Sequence, residues 1–130
     1  MSTSSLLTTI ETAKAPSAIG PYSQAVMHNG SIYTSGQIGI DPETGEMCAA
    51  DFLSQAKQVL KNLDRIAQAA DCSLANAIKF TVYLTDLRNF QILNTLMAEL
   101  LEEPYPSRAC VEVSALPKGA LLEVDAIFAV

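Results

Sequence analysis

Apolar positions change period several times along the chain, and each change marks an element. Between Phe52 and Ala70 they recur at Phe52, Ala56, Val59, Leu60, Leu63, Ile66, Ala67 and Ala70, a helical spacing that gathers them on one stripe. Asp51 stands where an N-cap is needed, and Gln55, Lys57, Gln58, Lys61 and Arg65 mark the face left to water. From Ile78 the period shortens to two. Ile78, Phe80, Val82 and Leu84 alternate with Lys79, Thr81 and Tyr83, which predicts a strand. A second helix follows, capped by Asp86, with the stripe Leu87, Phe90, Leu93, Met97, Leu100 and Leu101 ending before Pro104 and Pro106.

Before the first helix, the segment Tyr22 to Gln37 holds His28-Asn29-Gly30-Ser31 between two runs rich in Ala, Val, Ile and Tyr. Asn-Gly favours positive φ at both central positions of a type I′ turn, so this segment reads as a β-hairpin. After the second helix, Ser107 to Val113 and Leu121 to Val130 read as two strands parted by the turn Leu116-Pro117-Lys118-Gly119. The last strand is apolar on both sides: Leu122, Val124, Ala126, Phe128 and Val130 line one, Leu121, Ile127 and Ala129 most of the other. One side can rest on the two helices. A small layered domain has nothing left to cover the second, so the pattern calls for subunits associating through the sheet.

Polar residues interrupt these apolar tracts at a few places, where function is expected to override foldability. Asn94 falls on or beside the buried stripe of the second helix; Arg108, Cys110 and Glu112 share one strand face; Glu123 breaks the terminal strand. Buried or half-buried, such groups need partners. A structural Arg–Glu pair at an interface and a binding site both satisfy that need, and periodicity does not separate them.

At 130 residues the chain fits one domain spanning 1–130, and 49% apolar residues are enough for a core. A net charge of −6 repels phosphate backbones and anionic membranes, which argues against nucleic-acid and membrane partners. Cys48, Cys72 and Cys110 form no CxxC motif, so neither a disulfide framework nor a zinc site is expected, and a reducing, cytoplasmic setting fits best. The first twelve residues lack Arg and Lys and hold only short apolar pairs such as Leu6-Leu7, so no signal peptide, transit peptide or membrane span is expected. His28 reads as a turn residue, the carboxylates of Asp41 to Glu46 lack calcium-loop spacing, and Gly36 and Gly39 lack the Lys-Ser/Thr of a phosphate loop.

Four ordered motifs carry a resemblance. Gly20-Pro21-Tyr22-Ser23-Gln24-Ala25, Tyr33-Thr34-Ser35-Gly36-Gln37-Ile38, Pro106 to Val113 and Leu116 to Ala126 are similar to those of the Rid family, also called the YjgF family, across Ile10 to Val130. The resemblance implies an α+β, chorismate-mutase-like fold: a mixed sheet with two helices on one face, and three subunits joined around a barrel-like centre with ligand clefts between neighbours. It implies hydrolytic deamination of 2-aminoacrylate and related enamines and imines to 2-oxo acids and ammonia, with no cofactor and no metal. By matching positions, Glu123, Tyr22 and Ser35 are the expected catalytic residues, and Arg108, Asn94 and Cys110 the substrate-binding ones. A guanidinium suits a substrate carboxylate because it offers two parallel hydrogen bonds, and a carboxyl suits proton transfer at the reacting carbon and nitrogen. Cys110 reads as a thiol lining the site, not a nucleophile, since the chain's one His is distant in sequence. Two alternatives stay open: an endoribonuclease or translation inhibitor, as some relatives are described, and a non-catalytic 2-oxo-acid-binding or chaperone-like protein.

Overall fold

The computed structural model describes residues 7–130. Its elements are β1 (Thr8–Ile10), β2 (Ala25–His28), β3 (Ser31–Thr34), α1 (Phe52–Gln68), β4 (Ala77–Leu84), α2 (Phe90–Leu100), β5 (Ser107–Glu112) and β6 (Leu122–Ala129). All six strands form one sheet in the order β1-β2-β3-β6-β4-β5. Neighbours are antiparallel except β4 and β5, which run parallel with α2 as the crossover between them. The terminal strand is therefore central, hydrogen-bonded on both edges, while β5 and the short β1 form the margins.

Both helices lie on one face of the sheet. Leu122, Val124, Ala126 and Phe128 of β6 are buried there with Phe80, Val82 and Leu84 of β4 and Ile32 of β3. Against them pack Ala56, Val59, Leu60, Leu63, Ile66 and Ala67 of α1, and Leu93, Leu96 and Met97 of α2. The opposite face carries no helix. Tyr33, 44% exposed, pairs there with the half-buried Ile127, and Val111 on the marginal strand is 47% exposed. The two-sided apolar pattern of β6 thus leaves an apolar surface open on this chain, as its sequence predicts.

Local signals hold where short-range chemistry dictates them. Asn29 and Gly30 take φ of 50° and 79°, as a type I′ turn requires, and His28 pairs with Ser31 across it. Asp51 caps α1 by accepting from the Ser54 N–H at 2.9 Å. Asp86 caps a short 3-10 turn, Leu87–Asn89, that leads into α2.

Four expectations need correction. Gln55 is not on the wet face of α1: it is buried, its amide donating to the Ala49 carbonyl at 2.9 Å and accepting from the Leu121 N–H at 2.9 Å. Ile78 does not join the buried row of β4, because a bulge between Ala77 and Lys79 turns it outward, 44% exposed. Along α2, Leu87 and Leu100 are exposed while Leu96 takes a core place. Strand β1 carries no alternation over its three residues and went unpredicted. Residues 1–6, part of the segment read as lacking a leader, lie outside the described residues. Among the described residues no helix is long and apolar enough to cross a membrane.

Candidate active site

The chemistry-bearing side chains collect in two clefts on opposite faces of the sheet. The first opens where the segment following β3 passes the start of β6. Gln37 bridges Val124 through paired backbone hydrogen bonds of 2.9 and 3.1 Å, which brings Gly36 against Glu123. A Cβ on Gly36 would overlap the Glu123 carboxylate, so glycine there lets the carboxylate lie against the backbone. Behind it, the buried Asn62 amide donates to the Ile38 and Ile40 carbonyls at 3.4 and 3.0 Å and ties this segment to α1.

The facing wall is the loop 16–22, held from within by Gln24. Its buried amide donates to the carbonyls of Thr12, Ala15 and Pro16 and accepts from the Thr12 N–H at 2.7 Å. Tyr22 stands on that wall, its hydroxyl accepting from the Ile19 N–H at 3.3 Å, and its ring is 46% exposed. Ser35 donates to the Ser23 carbonyl at 2.6 Å, tying the two walls together. The cleft of about 350 Å³ is thus lined by Tyr22, Ser35, Gly36 and Glu123, with Pro117 at its rim. Burial, with Asp125 second, pushes the Glu123 carboxyl above the usual carboxylate range.

The second cleft, about 400 Å³, lies on the helix side at the sheet margin, between α2 and the start of β5. Arg108 is the register partner of Phe80, so its side chain shares the face on which the helices sit. There its guanidinium lies 5.0 Å from the centroid of the Phe90 ring and 3.7 Å from the Met97 Sδ. Asn94, Tyr105 and Pro106 complete the lining. Among the described residues the one ion pair is Arg88 with Asp86, and none of their carboxylates pairs with Arg108. Glu112, the partner a structural pair would use, instead accepts from the Leu87 N–H at 2.9 Å. An exposed planar cation on apolar support, its one hydrogen bond among the described residues going to a thioether sulfur, has the chemistry to hold a carboxylate.

Cys110 lies two residues along the same face, packed against the main core. Burial raises its thiol pKa and the lesser pull of Arg108 lowers it. It is not among the residues that line either cleft, contrary to the expectation of a site-lining thiol. Register separates the two clefts: Arg108 pairs with Phe80 on β4, and Glu123 pairs with Tyr83 three residues further on, across the other edge of that strand. At about 4.8 Å per strand and 3.3 Å per residue, their Cα atoms stand roughly 14 Å apart, with side chains on opposite faces.

The family model described as endoribonuclease L-PSP matches residues 12–130. A human protein named 2-iminobutanoate/2-iminopropanoate deaminase is 46% identical over 118 residues, covering 91% of this chain and 86% of its own. Among solved structures, a RidA from an Antarctic Psychrobacter superposes with a TM-score of 0.91 at 49% identity, covering 95% of this chain and 99% of that one. The chain belongs to the Rid family. TdcF of E. coli, solved with bound serine, superposes with a TM-score of 0.86 at 42% identity, covering 95% of this chain and 98% of that one. The family match spans β2 to β6 and both helices, so the residues lining the two clefts lie within it. Among the described residues, no three His, Cys, Asp or Glu side chains are grouped to hold a metal ion.

Of the six predicted site residues, Tyr22, Ser35 and Glu123 come together, and so do Arg108 and Asn94, with Cys110 adjacent. The two groups do not meet within one chain. Sequence reasoning passed over Gln24, Gln55 and Asn62, whose buried amides hold the loops in place. Gln24 was visible inside the Tyr22 motif as an amide at the start of an apolar run. Gln55 and Asn62 gave no such signal, because a helix stripe reads amides as solvent-facing.

Proposed function

We propose that this chain is a hydrolytic deaminase that converts 2-aminoacrylate and related 2-enamine and 2-imino acids to 2-oxo acids and ammonia, at sites shared between subunits of a homotrimer. The observation that carries the reading is Arg108: a guanidinium without an acidic partner, in a cleft sized for a small molecule. The human relative's name as an imine deaminase, and the serine bound to TdcF, agree with a small carboxylate-bearing substrate. A 2-imino acid has its carboxylate on the carbon that reacts, so it cannot reach both Arg108 and Glu123 of one chain. A neighbouring subunit that sets its Glu123 cleft beside this Arg108 resolves the mismatch and covers the open apolar face.

The steps follow from the side chains present. Arg108 holds the carboxylate with two parallel hydrogen bonds, and Asn94 offers an amide beside it. In its protonated form, which burial favours, Glu123 protonates the enamine methylene carbon to give the iminium, then as carboxylate takes a proton from the water that attacks C2. The same carboxyl returns that proton to nitrogen and, as ammonia leaves, takes the hydroxyl proton of the carbinolamine, which forms the 2-oxo acid and restores the protonated Glu123. Tyr22 and Ser35 present hydroxyls toward the water or the nitrogen. Such imines also hydrolyse unaided, so placement and electrostatics suffice, and no cofactor or metal enters the scheme.

An acidic chain with net charge −6 does not favour the ribonuclease activity that the family description names, and the cytoplasm is the setting we assign. The deciding experiment measures ammonia released from 2-aminoacrylate generated in situ, with and without the protein. Acceleration proportional to protein concentration supports the deaminase, whereas saturable binding without acceleration overturns it in favour of a 2-oxo-acid-binding protein.

A further inference from the structure

We propose that Ile38, Ile40 and Pro117, with Ile19 across the cleft, form a subsite for the substrate's own side chain, selecting 2-imino acids with uncharged aliphatic side chains longer than that of 2-aminoacrylate. The inference rests on the deaminase reading and on Glu123 as its acid–base group.

In that reaction Glu123 delivers a proton to C3, so whatever C3 carries comes to rest beside this carboxyl. In 2-aminoacrylate it carries only hydrogen. In longer imines it carries C4 and beyond, and the surface beside Glu123 decides which of them are accepted. The Gln37–Val124 bridge is antiparallel, so the next residues, Ile38 and Glu123, come opposite each other and share a face. Gly36, against which the Glu123 carboxylate lies, offers no side chain. Ile38 is thus the first apolar group that a substituent on C3 meets. Ile40 and Pro117 extend that surface, and Ile19, 74% exposed, stands on the facing wall.

These isoleucines do not belong to the main core. With Ala120 they form a separate small cluster, against which Met47 and Leu116 pack. The Asn62 amide holds their backbone through both carbonyls, while the thioether of Met47 makes a soft backing that yields to side chains of different length. At about 350 Å³ the cleft reaches the size of sites for drug-sized ligands, more than a three-carbon acid fills. Its chemistry is one-sided. Glu123 is the one charged residue among those that line it. The Tyr22 and Ser35 hydroxyls serve the water and the nitrogen, and the Arg108 of the neighbouring subunit is taken up by the substrate carboxylate. A second carboxylate on the substrate would find no cation and would meet Glu123, whereas an aliphatic chain exchanges water for isoleucine.

A cluster that merely closed the fold would leave turnover indifferent to chain length. The test generates 2-imino acids in situ by enzymatic oxidation of L-alanine, L-2-aminobutyrate, L-norvaline and L-glutamate, and measures ammonia release above the uncatalysed rate. From the alanine-derived to the norvaline-derived imine, kcat/KM should rise about fourfold per methylene, the factor that burying one methylene supplies. It should be lowest for the glutamate-derived imine. A flat or falling aliphatic series overturns the proposal. In Ile38→Thr and Ile19→Ser, each checked for folding by thermal denaturation, the norvaline-to-alanine ratio should fall. The exposed Ile19 supplies the test should Ile38→Thr fail to fold, and a ratio unchanged in the folded variants overturns the subsite. If no imine is turned over faster than in buffer, the deaminase reading has failed instead. Calorimetric titration with the matching 2-oxo acids then judges the subsite by itself: affinity that climbs with chain length supports it, and equal affinities overturn it.

Discussion

The two clefts are built in opposite ways. The Glu123 cleft sits on the central strand, its walls stitched by the Gln24 amide, the Ser35 hydroxyl and the Gln37–Val124 bridge. The Arg108 cleft sits on a marginal strand under α2, and its cation touches an aromatic ring and a sulfur with no charged partner. One region spends its polar groups on its own rigidity, and the other leaves them free. On the proposed reaction the difference is a division of labour: the first would hold the reacting group within tight limits and the second would capture the ligand. That reaction needs both, and within one chain they face away from each other.

The comparison breaks most readily at Arg108. Losing a desolvated charge pair costs about 2 to 5 kcal/mol, so Arg108→Ala should lower kcat/KM roughly thirty- to several-thousand-fold. Arg108→Lys should recover little of this, since it keeps the charge without the planar fork. Because Arg108 braces no carboxylate, thermal denaturation of Arg108→Ala should stay near the wild type. A collapse in stability with turnover unchanged would return Arg108 to a structural role.

On the rigid side, Gly36→Ala should push the Glu123 carboxylate aside. A displacement near 1 Å costs on the order of a hundredfold in rate, to be read in kcat with KM little changed. Wild-type kcat in that variant would mean that the close approach does not place the reacting group.

The smallest effect is thermodynamic. Burial raises the folded Glu123 carboxyl above its unfolded value, so the folded chain holds this proton more tightly. Its contribution to stability is full below the ordinary Glu range and is lost as pH rises through the raised folded value. Glu123→Gln should therefore gain stability relative to the wild type at neutral pH, with the gap closing in acid. Denaturant midpoints across pH measure it, and a gap that instead widened in acid would contradict the buried-carboxyl description.

The sequence revealed most where short-range chemistry decides the outcome. Asn29-Gly30, Asp51 and the alternation of β6 each dictate a local geometry, and the structure follows them. It was silent where geometry depends on distant backbone. Gln55 reads as wet until the Leu121 N–H arrives from far along the chain, and Ile78 as buried until the bulge turns it out. The candidate site residues were legible one at a time, through motif and misplaced polarity. Their separation was not, because it arises from the sheet order: β4 lies between β5 and β6, and the odd and even positions of each strand face opposite ways.

The central claim is that each site takes Arg108 from one subunit and Glu123 from its neighbour. It is tested most directly by mixing two inactive variants, Arg108→Ala and Glu123→Gln, denaturing and reassembling them together, and assaying ammonia release from 2-aminoacrylate. With random assembly in a cyclic trimer, about a quarter of the interfaces pair an intact Arg108 with an intact Glu123, so activity should return to about a quarter of the wild-type level. Reassembled mixed trimers that stay as inactive as their parents would contradict the account, because a site contained within one chain cannot be rescued by its neighbour.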